Sequence, residues 1–319
     1  MDFELTEEQK MIQDMSRRFA EKEIKPVAAE LDRSHRHPAE IVAKMGELGL
    51  MGITIPEEYG GAGMDYISYA LATIEISKAC ASCGVIMSVC NSLFNFPVYA
   101  YGTEEQKQRF LRPVAGGEVL GCYGLTEAGA GSDPASMKTT AVLHGNEWII
   151  NGVKRFITSG NVARYCVLAA VTDKSAGYKG ISSFIVDFEN TPGFRLGAIE
   201  DKLGINASGT AELVFEDARV PKENLLGKPG EGFRQMLTTL DSGRIGIASQ
   251  AIGIGRAALE EALDYSKTRE QFGKPISSFQ AVQWKLADMA TQLDAAEMLT
   301  LRAAWLEQHR RPFEKEAAM

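Results

Sequence analysis

The sequence predicts an α+β protein of three domains, in which an N-terminal all-α domain and a C-terminal α-helical bundle flank a middle antiparallel β-barrel or sandwich. Apolar residues recur at helical spacing in the first and last parts of the chain, whereas the middle holds short runs of valine, isoleucine, threonine and aromatic residues separated by turns. The chain has 319 residues, of which 45% are hydrophobic, so it can bury more than one core. The predicted domains are 1–118, 119–225 and 226–319.

The N-terminal domain is predicted to be helical because start and stop signals bracket each apolar pattern. Thr6-Glu-Glu-Gln9 is a capping box that opens the first helix, and Pro38 is placed as the first residue of a second helix. Helices from about Tyr66 to Lys78 and from about Gly84 to Tyr101 follow, the latter apolar enough to be buried on most sides. Thr103-Glu-Glu-Gln106 repeats the capping box and starts a short helix.

The middle domain is predicted to be an antiparallel barrel or sandwich, since no helix of crossover length interrupts its strands. Turn pairs such as Asn151-Gly152 and Ser159-Gly160 separate the runs. The predicted strands are Met137–Leu143, Glu147–Ile150, Lys154–Ile157, Tyr165–Thr172, Ile181–Phe188 and Ala211–Phe215.

Two long helices are predicted in the C-terminal domain, one ending near Arg269 and one beginning at about Ser278, with apolar spacing typical of an antiparallel bundle. A last helix after Pro312 has no terminator before Met319, so we expect the chain to be cut short. Gly253-Ile-Gly255 matches a dinucleotide-binding pattern, but it lies inside a helical pattern without a preceding strand. We therefore expect its glycines to let neighbouring helices pack closely.

Charge and composition exclude several classes of partner. The 34 lysines and arginines against 42 aspartates and glutamates give a net charge of −8, with no basic cluster that could follow a phosphate backbone, so nucleic acid is not an expected partner. We find no apolar run long enough to span a bilayer and no signal peptide. The sequence therefore predicts a cytoplasmic protein that does not enter a membrane.

The cysteines and histidines do not assemble a metal or nucleophile site. An odd count of five cysteines predicts reduced thiols that are mostly core residues. Cys80-x-x-Cys83 with Cys90 could indicate a metal or redox site, but no matching second pair follows, so we predict no metal. The four histidines are scattered in turn-like or polar surroundings.

The candidate site is the stretch from Tyr123 to Pro134, where a short apolar strand runs into a turn rich in glycine and hydroxyl groups. Gly129 and Gly131 allow close backbone approach to a ligand, and Ser132 belongs to a group of short polar side chains that could bind a phosphate-bearing molecule. The alternative is an ordinary strand-to-loop turn. Phe156-Ile-Thr-Ser159 offers a similar set of groups, with a core phenylalanine beside a turn threonine as its alternative.

Several motifs in this order resemble the acyl-CoA dehydrogenase family along the whole chain, and most closely its short-chain, butyryl-type members. The motifs are Ile55-Pro-Glu-Glu-Tyr-Gly-Gly61, Tyr123-Gly-Leu-Thr-Glu-Ala-Gly-Ala-Gly-Ser-Asp133, Phe156-Ile-Thr158, Leu240-Asp-Ser-Gly-Arg244 and Thr268-Arg-Glu-Gln-Phe-Gly-Lys274 with Gln280.

The resemblance implies two groups of binding residues. Arg269 and Gln280 would reach the FAD of a neighbouring subunit, which implies a homo-oligomer, either a dimer or a dimer of dimers. Residues implied to bind FAD are Tyr123, Gly124, Leu125, Thr126, Gly131, Ser132, Phe156, Ile157, Thr158, Arg269 and Gln280. Residues implied to bind the CoA substrate are Ser132, Asp241, Ser242, Gly243 and Arg244.

The implied reaction is α,β-dehydrogenation of an acyl-CoA thioester in fatty acid metabolism, with electrons passing to an electron-transfer flavoprotein. A glutamate would remove the α-proton while the flavin takes the β-hydride. An acyl-CoA oxidase and a catalytically inactive acyl-CoA or flavin-binding scaffold are the alternatives. The acyl group stays open between linear, branched, cyclic and dicarboxylic forms.

Three departures from the family pattern are visible. Ala128 replaces a common proline, and Phe156 stands where many members have tryptophan. Gly243 occupies one of the two places at which the family carries its catalytic glutamate, and we expect the other place to lie beyond Met319. No residue of this chain is therefore predicted to be catalytic.

Overall fold

A computed structural model describes residues 4–319, which divide into two compact units. The first comprises residues 4–29, 65–85 and 244–319, and the second comprises residues 30–64 and 86–243. Packing thus interleaves distant parts of the chain, and the three domains predicted in sequence order stay a prediction. The architecture of an N-terminal helical part, a middle β-sheet and C-terminal helices is confirmed.

The first unit is helical. The predicted capping box at Thr6 is confirmed, because its side chain accepts from the backbone N–H of Gln9 and the Gln9 side chain accepts in return. Arg17 of this helix pairs at 2.8 Å with Glu75, which is 4% exposed. Its helices include α1 (Glu7–Phe19), α4 (Tyr66–Ala79), most of α9 (Gly232–Thr268), α10 (Gln280–Gln308) and α11 (Glu314–Ala318). Residues of α4, α9 and α10 form a buried core of Ala70, Ile245, Ala303 and Ala304.

Gly253 and Gly255 lie inside α9, so they do not form a dinucleotide-binding turn. A methyl group at Gly253 would lie 2.9 Å from Cβ of Ser77 and 3.0 Å from the backbone nitrogen of Lys78, both on α4. At Gly255 it would lie 2.6 Å from a Leu293 methyl on α10. The prediction that these glycines permit close helix packing is confirmed.

The second unit is built around a sheet of eight strands. They are β1 (Gly121–Gly124), β2 (Thr140–His144), β3 (Glu147–Thr158), β4 (Tyr165–Val171), β5 (Ile181–Asp187), β6 (Phe194–Ile199), β7 (Thr210–Pro221) and β8 (Leu225–Leu226). The strand order is β6-β7-β3-β2-β4-β5-β8, and β1 pairs with β4. The buried core of the sheet includes Trp148, Leu168, Phe184 and Phe215. Two short hairpin strands, β9 (Glu270–Gln271) and β10 (Lys274–Pro275), belong to the first unit.

Three details of the strand prediction are wrong. Glu147–Ile150 and Lys154–Ile157 form a single strand, because Gly152, with a φ of 151°, lies at a register shift against β7 and not in a turn. The sheet is not purely antiparallel, since β1 runs parallel to β4. Strand β6 was absent from the prediction because its exposed positions give it little apolar periodicity.

The helices between α1 and β1 were also only partly predicted. The chain remains helical from α1 through a π-helical segment, Ala20–Ile24, into α2 (Lys25–Ser34), which the prediction omitted. Pro38 is the N-cap of α3 (Ala39–Glu47), not its first helical residue. The second capping box, at Thr103, is confirmed and opens α7 (Glu104–Gln106), a π-helical segment and α8 (Arg112–Ala115).

The helical stretch Ala81–Tyr101 corrects the expectation that no run could span a bilayer. It comprises α5 (Ala81–Ser88), the π-helical segment Val89–Asn95 and α6 (Phe96–Tyr101). It has 21 residues and a mean hydropathy of 1.3, so by length and composition it could cross a bilayer. However, 78% of its most apolar part is buried inside the protein. Asn91 connects it to the segment that contains Leu50 and Ile53. Its side chain donates to the Leu50 carbonyl and accepts from the Ile53 N–H, both at 2.8 Å. That burial is typical of a core helix.

Candidate cofactor site

The predicted strand-to-turn element at Tyr123–Pro134 is present. β1 is buried along its length, and after it Glu127 and Ala130 exchange backbone hydrogen bonds of 3.1 Å in each direction. This pairing makes a tight turn with Ala128 and Gly129 exposed at its tip. A Cβ atom at Gly129 or Gly131 would have nothing within 4 Å, so the backbone there is open to an approaching molecule.

A buried ion pair connects this turn to strand β3. Lys154 of β3 is fully buried, and its Nζ donates to Oε1 of Glu127 at 2.8 Å and to the Leu125 carbonyl at 2.9 Å. The Glu127 carboxylate also accepts the backbone N–H groups of Lys138 at 2.7 Å and Thr139 at 3.0 Å. The pair therefore fixes both ends of the turn to the sheet.

Burial and charge act on this pair in opposite directions. Burial lowers the pKa of Lys154, because the loss of water disfavours its charged form. The attraction of Glu127 raises the pKa, but by less. For Glu127, burial alone would raise the pKa of the carboxyl, but the ammonium of Lys154 and the hydrogen bonds it accepts outweigh burial and lower it. Sequence reasoning missed this pair, because its two members lie 27 residues apart and only the folded sheet brings them together.

The second predicted stretch lies beside the first. The backbone N–H of Arg155 donates to the Thr126 carbonyl at 2.8 Å, so the end of β3 runs along the turn. Phe156 has a φ of 59° at a register shift between β3 and β7. A bulky residue in the left-handed region is strained, and the bulge leaves the Phe156 ring 58% exposed while Ile157 is 2% exposed.

The structure separates the predicted FAD residues by exposure. Gly131, Ser132 and Phe156 are exposed, and Thr126 and Thr158 are half-buried. The remaining predicted residues of these two stretches, Tyr123, Gly124, Leu125 and Ile157, are buried. The hydroxyl of Tyr123 donates to the Met236 carbonyl at 3.2 Å, so this residue positions the strand.

An open turn beside an outward aromatic ring and a threonine hydroxyl is a surface that fits a flat heteroaromatic group with a phosphate-bearing tail. A cavity of about 340 Å³ also adjoins the turn and was not predicted; it is lined by Glu127, Ala128, Gly129, Ser136, Lys138, Thr139, Gly152, Val153, Arg155 and Glu212. Among residues 4–319, no group of three or more histidine, cysteine, aspartate or glutamate side chains is arranged to hold a metal ion.

Arg269 and Gln280 belong to the first unit, where they flank the β9–β10 hairpin. Both are exposed. The Arg269 carbonyl accepts from the Ile276 N–H at 2.8 Å, which closes the hairpin base. At its tip Phe272 is 92% exposed and contacts Phe279 edge to face, with ring centroids 6.0 Å apart.

Apart from Ser132, the predicted CoA residues lie on α9 and differ in accessibility. Asp241 is half-buried, and Arg244 is exposed and lines a cavity of about 350 Å³ in the first unit. Ser242 and Gly243 are buried, and a Cβ at Gly243 would lie 2.9 Å from a Leu93 methyl. The Ser242 hydroxyl has no hydrogen-bond partner among the described residues. A direct contact of Ser242 or Gly243 with CoA stays a prediction.

Comparisons with known proteins cover nearly all of the chain. Family models described as the acyl-CoA dehydrogenase N-terminal, middle and C-terminal domains match residues 6–118, 122–218 and 230–319. The mitochondrial short-chain specific acyl-CoA dehydrogenase of Bos taurus is 52% identical over 316 residues, 99% of this chain and 76% of that protein.

Solved structures agree with these matches. A chain from the structural work on the electron-transferring flavoprotein of Acidaminococcus fermentans matches with a TM-score of 0.98 and 53% identity, covering 100% of this chain and 84% of that one. Butyryl-CoA dehydrogenase from Megasphaera elsdenii matches with a TM-score of 0.97 and 43% identity, with the same coverage of both chains.

Proposed function

This chain belongs to the acyl-CoA dehydrogenase family, and from that premise we propose that its protein is an FAD-dependent oxidoreductase that introduces an α,β double bond into a short-chain acyl-CoA thioester. Electrons then pass to an electron-transfer flavoprotein. The observation that carries the proposal is the hydrogen bond from Arg155 to Thr126, which brings the two family motifs side by side on one open surface.

The residues of this surface would hold the flavin in place. FAD, when bound, supplies the acceptor for the β-hydride. The exposed ring of Phe156 would offer a stacking surface to an aromatic cofactor, and the half-buried hydroxyls of Thr126 and Thr158 would be its hydrogen-bonding partners. The open backbone at Gly131 and the exposed Ser132 hydroxyl would hold its phosphate groups.

Substrate binding is proposed for the Ser132 hydroxyl and for Asp241–Arg244, with the guanidinium of Arg244 suited to a CoA phosphate. Glu127 is not available as the base, because Lys154 and two backbone N–H groups engage its carboxylate. Gly243 has no side chain that could accept a proton. We therefore assign the base to none of these residues.

Oligomeric state and location are further parts of the proposal. We propose a dimer or a dimer of dimers in which Arg269 and Gln280 contact the flavin of a neighbouring subunit; the exposure of both residues beside the apolar tip of the β9–β10 hairpin supports it. A cytoplasmic location is consistent with five free thiols.

The test is anaerobic reduction of the full-length protein by acyl-CoA esters. We expect it to purify yellow, and butyryl-CoA to bleach the flavin absorbance faster than branched, cyclic or dicarboxylic acyl-CoAs. A matched variant, Thr158→Val, keeps the shape of the side chain but removes the hydroxyl, and should slow bleaching. A colourless protein that takes up no added FAD would contradict the proposal.

A second measurement separates the dehydrogenase from an oxidase. With oxygen present, we expect little hydrogen peroxide per turnover, and rapid electron transfer once an electron-transfer flavoprotein is added. Stoichiometric peroxide formation that is unaffected by the flavoprotein would identify an acyl-CoA oxidase.

A further inference from the structure

Cys80 and Cys83 occupy the N-terminal turn of α5. Cys80 links α4 to α5 in an extended conformation, with φ −156° and ψ 112°. Its N–H donates to the Ile76 carbonyl of α4 at 3.0 Å, and its carbonyl accepts the N–H of Gly84 at 3.1 Å. Cys80 therefore holds the N-cap position of α5, and Cys83 is the third residue of the helix, which is the position that an N-cap side chain normally contacts.

The two thiols differ in access to solvent. Cys80 is half-buried at the start of the helix, whereas Cys83 is fully buried one turn later. Cys90, Cys122 and Cys166 are also fully buried. A small reagent in solution thus reaches Cys80 first, and Cys83 only by way of Cys80.

Hydrogen bonding gives the two sulfurs opposite character. The thiol of Cys83 donates a hydrogen bond to the sulfur of Cys80, and the backbone N–H groups of Cys83 and Ser82 donate further hydrogen bonds to it. Together they lower the pKa of Cys80 to about 6, although burial acts to raise it. The same contact, together with burial, raises the pKa of Cys83. Cys80 is therefore largely a thiolate at neutral pH, and the thiolate is the nucleophilic form of cysteine.

Helix α9 holds this turn in a fixed geometry. The Gln250 amide donates to the Ala81 carbonyl at 2.8 Å, and Glu260 pairs with Lys78 at 2.6 Å. Gly253 allows α9 to approach the last turn of α4 closely. Because contacts on both sides of Cys80 restrain the backbone, the thiol pair is preorganised.

We propose that Cys80 and Cys83 are a redox-active dithiol that a low-molecular-weight disulfide oxidises reversibly to an intramolecular disulfide. The Cys80 thiolate attacks one sulfur of the small disulfide, forms a mixed disulfide and releases one small thiolate. Cys83 then loses its proton and attacks the Cys80 sulfur, releasing the second small thiol. The two electrons of the protein dithiol thus reduce one small disulfide to two thiols. Neither cysteine has a part in the proposed dehydrogenation.

The experiment treats the full-length, flavin-loaded protein with glutathione disulfide, traps free thiols by alkylation and maps them by mass spectrometry. Within residues 4–319 we expect the free thiols to fall from five to three, with a disulfide joining Cys80 to Cys83, and excess reduced glutathione to restore all five. Cys83→Ser should stop at a glutathione adduct on Cys80, and Cys80→Ser should leave Cys83 unmodified. Cys90→Ala is the matched control, because it removes another buried cysteine of the same helical stretch.

A second readout follows the pH dependence of Cys80 alkylation by iodoacetamide. Half-maximal reactivity is expected near pH 6 in the native protein, rising towards the ordinary cysteine value of about 8.5 in Cys83→Ala, which removes the side-chain donor to the Cys80 sulfur. A stable glutathione adduct on native Cys80, no reaction with glutathione disulfide, or an ordinary alkylation profile would each overturn the proposal.

Discussion

Lys154 is a charged side chain without solvent exposure, and its partners explain why it is tolerated. Removing the ammonium in Lys154→Met leaves the Glu127 carboxylate buried beside a methyl group, so we expect a loss of about 3–5 kcal/mol in the free energy of unfolding. Urea denaturation measures it. The double variant Lys154→Met/Glu127→Gln is the control, because it removes both charges and should recover a large part of the loss. Equal losses in the single and double variants would contradict the ion-pair argument.

The same pair predicts a pH dependence. The folded-state pKa of Glu127 is lowered below its ordinary value of 4.5, so its contribution to stability is fully present above that value and is lost as the pH falls through the folded-state pKa. We therefore expect the difference in unfolding free energy between the native protein and Glu127→Gln to be largest near neutral pH and to shrink below about pH 4.5. A difference that does not change between pH 7 and pH 4 would show that folding does not lower the pKa of Glu127.

Phe156 combines backbone strain with an exposed ring. Replacing it by glycine relieves a left-handed conformation that costs about 1–2 kcal/mol, offsetting the added flexibility of the unfolded chain. We expect Phe156→Gly to change the unfolding free energy of flavin-free protein by less than about 1 kcal/mol, yet to weaken FAD retention in titrations. Phe184→Ala is the comparison variant. Because it removes a ring from the buried core, it should lower the unfolding free energy by about 3–5 kcal/mol. A comparable loss in Phe156→Gly would contradict the strain argument.

The turn at Tyr123–Pro134 and the stretch Phe156–Thr158 could be predicted from the types of residue in the sequence, because glycines, hydroxyls and an aromatic ring are visible without a structure. It could not show that Tyr123 and Leu125 are buried while Gly131 is open, since that depends on which side of the turn the sheet covers. The Lys154–Glu127 pair was invisible for the same reason. Its members are 27 residues apart, and only the folded sheet joins them.

Gly253 and Gly255 of helix α9 differ in what surrounds them. A methyl group at Gly253 meets backbone and Cβ atoms of α4, which cannot move alone, whereas at Gly255 it meets the flexible end of Leu293. We expect Gly253→Ala to lower the unfolding free energy by about 1–3 kcal/mol, and Gly255→Ala to be neutral or stabilising by up to about 1 kcal/mol, because alanine favours helix. Thermal or urea unfolding of the two variants provides the comparison. The reverse order would show that α9 does not pack on α4 at Gly253.

Long helices were predicted closely because caps and apolar periodicity are local signals. The predicted helix ending near Arg269 is found as Gly232–Thr268. Local signals were not sufficient for strand β3. An Asn-Gly pair is typical of both a turn and a bulge, and only the pairing with β7 decides between them. The π-helical segment Ala20–Ile24 likewise has no composition that distinguishes it from a loop between helices.

At the scale of the assembled molecule, Arg269 is predicted to contact the FAD of a neighbouring subunit. Arg269→Ala should weaken FAD binding by about 1.5–3 kcal/mol, the contribution of a charge-assisted hydrogen bond. Lys267→Ala is the control, since Lys267 is an exposed cation two residues away that pairs with Asp264 at 3.3 Å. Flavin titration at two protein concentrations measures both variants. Unchanged FAD affinity in Arg269→Ala would show that the family's role does not transfer to this residue.

The apolar stretch Ala81–Tyr101 takes its packing partners from both earlier and later parts of the chain. Asn91 and Asn95 bind carbonyls of Leu50 and Met51, which a ribosome makes first, whereas Tyr165, which stacks on Phe94, is made much later. During synthesis the stretch therefore emerges with one side covered and the other still exposed to water. Because exposed apolar surface on a partly folded chain favours aggregation, we expect this stretch to be prone to aggregation until Tyr165 has left the ribosome.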